Sequence, residues 1–260
     1  MESWLVVGFA AGLVIAAVTS PVGVSGAVFL LPVQLSVLAV PSPAITPTNL
    51  LFNVVSVPGA VVRYLRRGQV DRALTGALVA GTLPGVLAGS VLRVFVVPGP
   101  VVFRLLLGAF LVPLGVRLCL RSSGRRRRRD SPPGRVVLVV LGSLAGAIGG
   151  VYGIGGGSLL GPLLVGRGLP VSRVAPAALM TTLLTSVVGA GAYTVISVLV
   201  PGTGAEPEWA LGLVCGLGGS IGGYLGARVQ RSVSESALRV VLGVLAGALG
   251  LAYVIDALTG

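Results

Sequence analysis

The most unusual string in the sequence is Gly149-Gly-Val-Tyr-Gly-Ile-Gly-Gly-Gly-Ser158, closed by Pro162. Glycine permits positive φ and close approach of backbone. Three in a row cost about 3 kcal/mol against alanine inside a helix. The string therefore reads as a helix interruption, which leaves backbone N–H and C=O groups without intrahelical partners. In a membrane such groups must face protein, a cavity or a ligand. A helix restarting near Gly156 would aim free N–H groups and a positive dipole end at one point, an arrangement that suits an anion without using a charged side chain. Gly23-Val-Ser-Gly26, closed by Pro32, is a degenerate first copy. The expected substrate contacts are thus Ser25, Gly26, Gly155, Gly156, Gly157 and Ser158, with Pro32 and Pro162 fixing the helix breaks. The competing use of these glycines is close helix packing. No Lys follows the string, so it is not a phosphate-binding P-loop.

Neutral polar residues form the second group. Thr46-Pro47-Thr48-Asn49 opens one apolar segment, and Asn53 and Ser56 follow. Asn49 and Asn53 are four apart and share a helix face. Their counterparts in the second half are Thr181, Thr182, Thr185 and Ser186. Asn49, Asn53, Thr181 and Thr182 are expected to donate to an anion's oxygens. Such side chains serve equally well bonded to the preceding turn or to a neighbouring helix.

What is missing narrows the chemistry. Histidine is absent, and no Asp, Glu or Lys is evident inside an apolar segment; Asp256 stands at a segment end. Cys119 and Cys215 sit in apolar runs, without partners for a metal site. No nucleophile–base pair can be assembled. The expectation is no enzyme, no cofactor and no metal.

The elements that must position these residues follow from composition. Of 260 residues, 54% are hydrophobic and 10% charged, with mean hydropathy +1.01. A soluble domain carries about a quarter charged residues. The chain therefore reads as an all-α polytopic protein of the cell membrane, with the lipid bilayer as its main partner. Ten apolar segments stand out. They are Trp4–Ser20, Val24–Val40, Thr48–Leu65, Ala73–Leu92 and Val101–Leu120, then Val136–Tyr152, Gly156–Val165, Val174–Val200, Trp209–Val229 and Ala237–Ala257. The segment Gly156–Val165 is too short to cross, so it reads as re-entrant, a half-helix, or fused to a neighbour through a broken turn. The 41 Gly and 17 Pro fit helices interrupted to line a cavity.

Residues 121–135 combine Arg, Ser, Gly and a Pro pair, and divide the chain into membrane repeats at 1–120 and 136–260. Gly8-xxx-Gly12 reappears as Gly142-xxx-Gly146, and Gly23 to Pro32 aligns with Gly153 to Pro162. Pro47 answers Pro176. Gly81/Gly85/Gly89 answers Gly218/Gly222/Gly226, and Arg104 to Gly108 answers Arg239 to Gly243. Five matches in one order indicate a duplicated unit.

The net charge is +12, and all 19 basic residues are Arg. They gather at segment ends and in the run Arg125 to Arg129, the pattern of cytoplasmic loops beside anionic lipid rather than of nucleic-acid binding. Loops with Arg63 to Arg72, Arg117 to Arg135, Arg167 to Arg173 and Arg228 to Arg231 read as cytoplasmic, and Glu206 and Glu208 as outside. That alternation fits ten crossings with both termini outside. Five elements per half make the second repeat inverted relative to the first.

Gly153 to Leu164, the degenerate copy at Gly23 to Pro32, the proline-led segment from Pro47 and YLRRGQVD at Tyr64 to Asp71 together resemble the TauE/SafE family of sulfite exporters. The resemblance spans nearly the whole chain. It implies a permease for small anions, chiefly sulfite, sulfoacetate and related organosulfur compounds. It also implies seven to nine crossings, fewer than the ten marked above. Ser25, Gly26 and Ala27 depart from the three glycines typical of that family, so the two half-sites need not be equivalent. The reading of the whole chain is a secondary transporter, an exporter working by alternating access. An anion channel and a non-transporting membrane scaffold stay open, as does a homodimer. Gly156→Leu would separate a transporter from a scaffold.

Overall fold

The computed structural model describes residues 3–38, 40–96 and 133–259, with scattered positions between 105 and 120. The helices are α1 (Ser3–Thr19), α2 (Ala27–Pro32), α3 (Ser42–Leu65), α4 (Arg72–Phe95), α5 (Arg135–Tyr152), α6 (Gly156–Gly166), α7 (Val171–Leu199), α8 (Trp209–Val229) and α9 (Glu235–Thr259). Among the described residues, α1, α3, α4, α5, α7 and α8 are each long and apolar enough to cross a membrane. The chain is an all-α, multi-pass membrane protein.

Most expected segments fall on a single helix, but two do not make full-length crossings. Val24–Val40 contains only the six-residue α2 and a five-residue π turn, Val33–Val37, after an irregular stretch. Gly156–Val165 is the 11-residue α6. Eleven helical residues rise about 16 Å, roughly half the hydrocarbon thickness. Among the described residues the apolar segments therefore become long helices plus two half-length ones, Gly156–Val165 being the short segment expected from the sequence and Val24–Val40 the addition. The segment Val101–Leu120 and residues 121–132 lie largely outside the described residues.

Proline behaves differently from the expectation. Pro47 and Pro58 lie inside α3, Pro84 inside α4, Pro162 inside α6 and Pro176 inside α7. These helices continue through them, because neighbouring helices and hydroxyls can satisfy the freed carbonyls in a membrane protein. Pro162 thus does not fix a helix break, as expected above. It sits six residues into α6 and only removes the N–H that would have bonded the Ser158 carbonyl. Pro32 is the last residue of α2, where the π turn begins.

Small residues let the helices meet at backbone contact. A Cβ on Gly218, Gly222 or Gly226 of α8 would strike the carbonyl of Phe9, Leu13 or Ala17 of α1, so these two helices run parallel. A Cβ on Gly81, Gly85 or Gly89 of α4 would strike Val139, Ser143 or Ala147 of α5, again in parallel order. Gly212, Gly216 and Gly223 of α8 face Leu51, Val55 and Ala60 of α3, also parallel. α7 runs with α4: Arg173 bonds Asp71 at their starts, and Gly189 packs on Val86 further along. It runs against α3, since Leu179 clusters with Val57 to Tyr64 while Gly189 touches Leu50. The helices α1, α3 and α8 therefore point one way, and α4, α5 and α7 the other.

Polarity is distributed inside out. Val6, Leu144 and Val198 are 67%, 61% and 72% exposed, whereas Asn49, Asn53, Thr182 and Ser186 are each 0% exposed. Hydrocarbon solvates the first group at no cost, and protein must satisfy the second.

Candidate functional site

The two irregular stretches are built by glycine in the left-handed region. α5 stops at Gly153, φ 70°, whose N–H and that of Ile154 both return to the Gly149 carbonyl. Gly155, φ 69°, turns the chain again, and α6 starts. In the first half one 3-10 turn, Ser20–Val22, follows α1 and ends at Gly23, φ 79°. Both φ values are strained for any residue with a Cβ. Space forbids one too: a Cβ on Gly23 would strike Ala175 of α7, and one on Gly153 would strike the Thr46 carbonyl of α3.

The carbonyls freed at the end of α5 are taken up by donors from elsewhere. Tyr193 donates to the Gly150 carbonyl at 2.8 Å, and Thr46 to Val151 at 3.0 Å. Asn53 Nδ2 donates to Gly153 at 3.3 Å, and Ser25 Oγ to Ile154 at 3.3 Å. The negative end of α5 is thereby bonded by neutral donors, and the positive end of α6 is the other polar feature of the break.

At the start of α6 the two stretches meet. Ser158 Oγ donates to Ser25 Oγ at 2.9 Å and accepts from the Ser25 N–H at 3.2 Å. It also lies 3.3 Å from Thr182 Oγ1. The Gly156 N–H donates to Thr185 Oγ1 at 3.3 Å. Gly155 lies against Thr182 and Ser186, Gly156 against Thr82, and Gly157 against the Ala178 carbonyl. These glycines therefore serve both uses weighed from the sequence, a chain break and a close backbone contact.

Of the expected site residues, Ser25, Asn53, Gly155, Gly156, Gly157, Ser158 and Thr182 come together here. Asn49 is adjacent: its Cβ packs on Gly153, and its Nδ2 donates to the Ala27 carbonyl at 3.3 Å. Gly26 faces elsewhere, toward Ile15 of α1 and Phe52 of α3. Thr181 turns its hydroxyl back to the Ala177 carbonyl at 2.8 Å, one helical turn earlier. One of the two N–H groups of each asparagine amide is committed to a carbonyl, which leaves the other as the donor expected for an anion. Their Oδ1 atoms, and Ser186 Oγ, are buried without a hydrogen-bond partner.

Sequence reasoning missed Arg93. It is 2% exposed, and its Nε donates to Thr46 Oγ1 at 3.4 Å. The phenols of Tyr152 and Tyr193 lie close enough to interact with its charge. An apolar segment ended at Leu92 leaves Arg93 outside. The signal was the apolar continuation Val94-Phe95-Val96-Val97. A cation is thus held one helical turn from Asn49, on the side of the break where α5 ends.

Among the described residues no group of three His, Cys, Asp or Glu could hold a metal ion. The chain matches the model of the family described as Sulfite exporter TauE/SafE over residues 8–253. No curated protein and no solved structure matches it. The match covers most of the chain, so the protein belongs to the TauE/SafE family, a family of membrane exporters rather than enzymes.

Proposed function

We propose that this TauE/SafE protein is a secondary transporter that exports small anions, such as sulfite or organosulfonates, by alternating access. The observation that carries the reading is the buried meeting of Ser25 with Ser158 at the N-terminus of α6. There a half-length helix points its positive end at hydroxyls and amides, with Arg93 nearby and no carboxylate among the described residues lining the break. An anion entering would take over the hydroxyls of Ser158 and Thr182 that now bond each other.

Inverted repeats at 1–120 and 136–260 supply the moving parts, joined by the cytoplasmic linker 121–135. Several contacts support this. α1 packs on α8 and α5 on α4, so exchanging each helix for its counterpart turns one pair into the other, and each counterpart runs in the opposite direction. Tyr64 donates to the Ser20 carbonyl as Tyr193 donates to Gly150. Tyr64 and Tyr193 are separated by the same number of residues as Pro47 and Pro176. Gly108 meets the Gly250 carbonyl, and Gly243 meets the Gly115 carbonyl. Such a two-fold axis in the membrane plane lets one half adopt the other's conformation, which is the basis of alternating access.

The test is flux of radiolabelled sulfite in proteoliposomes, with and without an imposed gradient. Gly156→Leu would be a poor variant, because a Cβ there already comes within 2.6 Å of Thr82 Cγ2. Ser158→Ala removes only a hydroxyl. Saturable, gradient-dependent flux that Ser158→Ala lowers at least tenfold, in protein that still folds, is the expected result. Rates beyond carrier range would mean a channel. No flux of any small anion by folded protein would leave the scaffold reading.

A further inference from the structure

Asn49 and Asn53 are both fully buried, one turn apart on α3, beside the Gly153 turn. Each amide has its orientation set by what its nitrogen touches. Asn49 Nδ2 faces the Ala27 carbonyl and Asn53 Nδ2 the Gly153 carbonyl. Rotating either amide would set oxygen against oxygen. Both Oδ1 atoms therefore point away from those carbonyls as acceptors, and neither has a partner. Ser186 Oγ, on the α7 side of the same break, is likewise buried and unpartnered, 3.1 Å from where a Gly155 Cβ would stand. Leaving buried acceptors unpaired is costly, and sites built to bond a substrate's O–H or N–H reject analogues that lack it by large factors.

Building on the anion-transport reading, we infer that Asn49 and Asn53 select anions that carry a hydrogen-bond donor. The α6 N-terminus and the Ser158 and Thr182 hydroxyls receive the anionic oxygens. The substrate's single proton is donated to one of the two acceptors, Asn53 Oδ1 or Asn49 Oδ1, which stand one turn apart. Hydrogensulfite fits both halves of this lining. A fully deprotonated tetrahedral dianion such as sulfate would set its own oxygen lone pairs against the amide oxygens, which repel it.

The residues around the pair make pH a clean probe. The titratable groups on elements packed against α3 include Arg93 of α4, Tyr152 of α5, Tyr193 of α7, and Cys215, Tyr224 and Arg228 of α8 with Glu208 before it. Of these types only a thiol ordinarily titrates within about two units of neutrality, and Cys215 Sγ lies toward Gly8 of α1. The chain contains no histidine. A pH dependence of binding around neutrality therefore belongs to the ligand.

The experiment is sulfite binding to the full-length purified protein in detergent, followed by thermal stabilisation at constant total sulfite. It is run on both sides of sulfite's second ionisation, with sulfate as competitor. The expected result is an apparent affinity that falls in proportion to the hydrogensulfite fraction as pH rises, and no competition from a tenfold excess of sulfate. Asn53→Leu should reduce the discrimination between sulfite and sulfate at least tenfold, and the wild-type comparison stands even where that variant does not fold. Equal sulfite affinity across the pH range, or effective competition by sulfate, would overturn the inference while leaving anion binding intact. No stabilisation by sulfite or sulfate at any pH would instead count against the transport reading beneath it.

Discussion

Individual residues in this protein are arranged around a cost, that of breaking a helix inside a membrane. At the end of α5 the carbonyls of Gly150, Val151, Gly153 and Ile154 find donors from elsewhere in the chain, and Tyr193 supplies one of them at 2.8 Å. Tyr64 performs the matching task for Ser20 at 3.3 Å. Both tyrosines are 0% exposed, so neither can turn to water. Tyr193→Phe should lower stability by about 1–3 kcal/mol, the cost of leaving a buried carbonyl unpaired. Thermal unfolding in detergent checks this, and an unchanged midpoint would mean that water takes the hydroxyl's place. Ser158→Ala leaves the buried Ser25 N–H without its acceptor, while the Thr182 hydroxyl can turn to its own helix. It should lower stability by about 1–3 kcal/mol as well, and lower flux by far more than Tyr193→Phe does at equal stability loss.

At the level of elements, glycine sets how closely helices approach. Gly85 of α4 lies against the Ser143 carbonyl of α5, whereas Gly76 of the same helix has nothing within 4 Å. Gly85→Ala must push two backbones apart and should cost at least about 2 kcal/mol, the ordinary penalty of overpacking. Gly76→Ala should raise stability by up to about 1 kcal/mol, since alanine is the better helix former. Measuring both midpoints together isolates the packing effect from helix propensity. Equal shifts would show that the α4–α5 contact is not what the glycines serve. The small-xxx-small spacing already pointed to packing here. The partner helices became known only from the fold, because any helix with a flat face could have met α4.

At the scale of the whole molecule, an ion pair joins the start of α4 to the start of α7. Arg173 Nη2 lies 2.7 Å from Asp71 Oδ2, and Asp71 Oδ1 also accepts from the Leu74 N–H. The Leu74 N–H bond is the largest cause holding the Asp71 carboxyl below its ordinary pKa; burial opposes it, and the hydrogen bond and charge of Arg173 add to the lowering. A lowered pKa in the folded state stabilises the fold wherever the carboxylate is ionised. The contribution is complete above the unfolded value, about 3.9, and is lost as pH falls through the lower folded value. Both side chains are partly exposed, so the pair is worth at most about 1 kcal/mol. Asp71→Asn should therefore lower the unfolding midpoint slightly at pH 7, and the gap from wild type should close in strong acid. A gap that persists in acid would assign the effect to the helix cap rather than to the charge. Since the pair spans the two proposed repeats, the proposed alternating access requires that it break when this side opens.

The sequence by itself determined the class of the protein, most of the long helices and the glycine-rich break before Gly156. Hydropathy sets which segments leave water, and runs such as Gly153 to Gly157 cannot stay helical cheaply, so both are local properties. It also placed Ser25, Ser158, Asn53 and Thr182 among the candidates, because hydroxyls and amides in apolar helices are few. Only the tertiary structure decided what those groups do. Which way an amide points depends on a carbonyl 100 positions away, as Asn53 on Gly153 shows. Arg93 became part of the interior only when α4 was seen to continue past Leu92 and pack against α7. Prolines that locally spell interruption stayed inside continuous helices, which a membrane protein tolerates where packing against other helices covers them. Those outcomes belong to contacts between helices, and a one-dimensional pattern carries the helices but not their pairing.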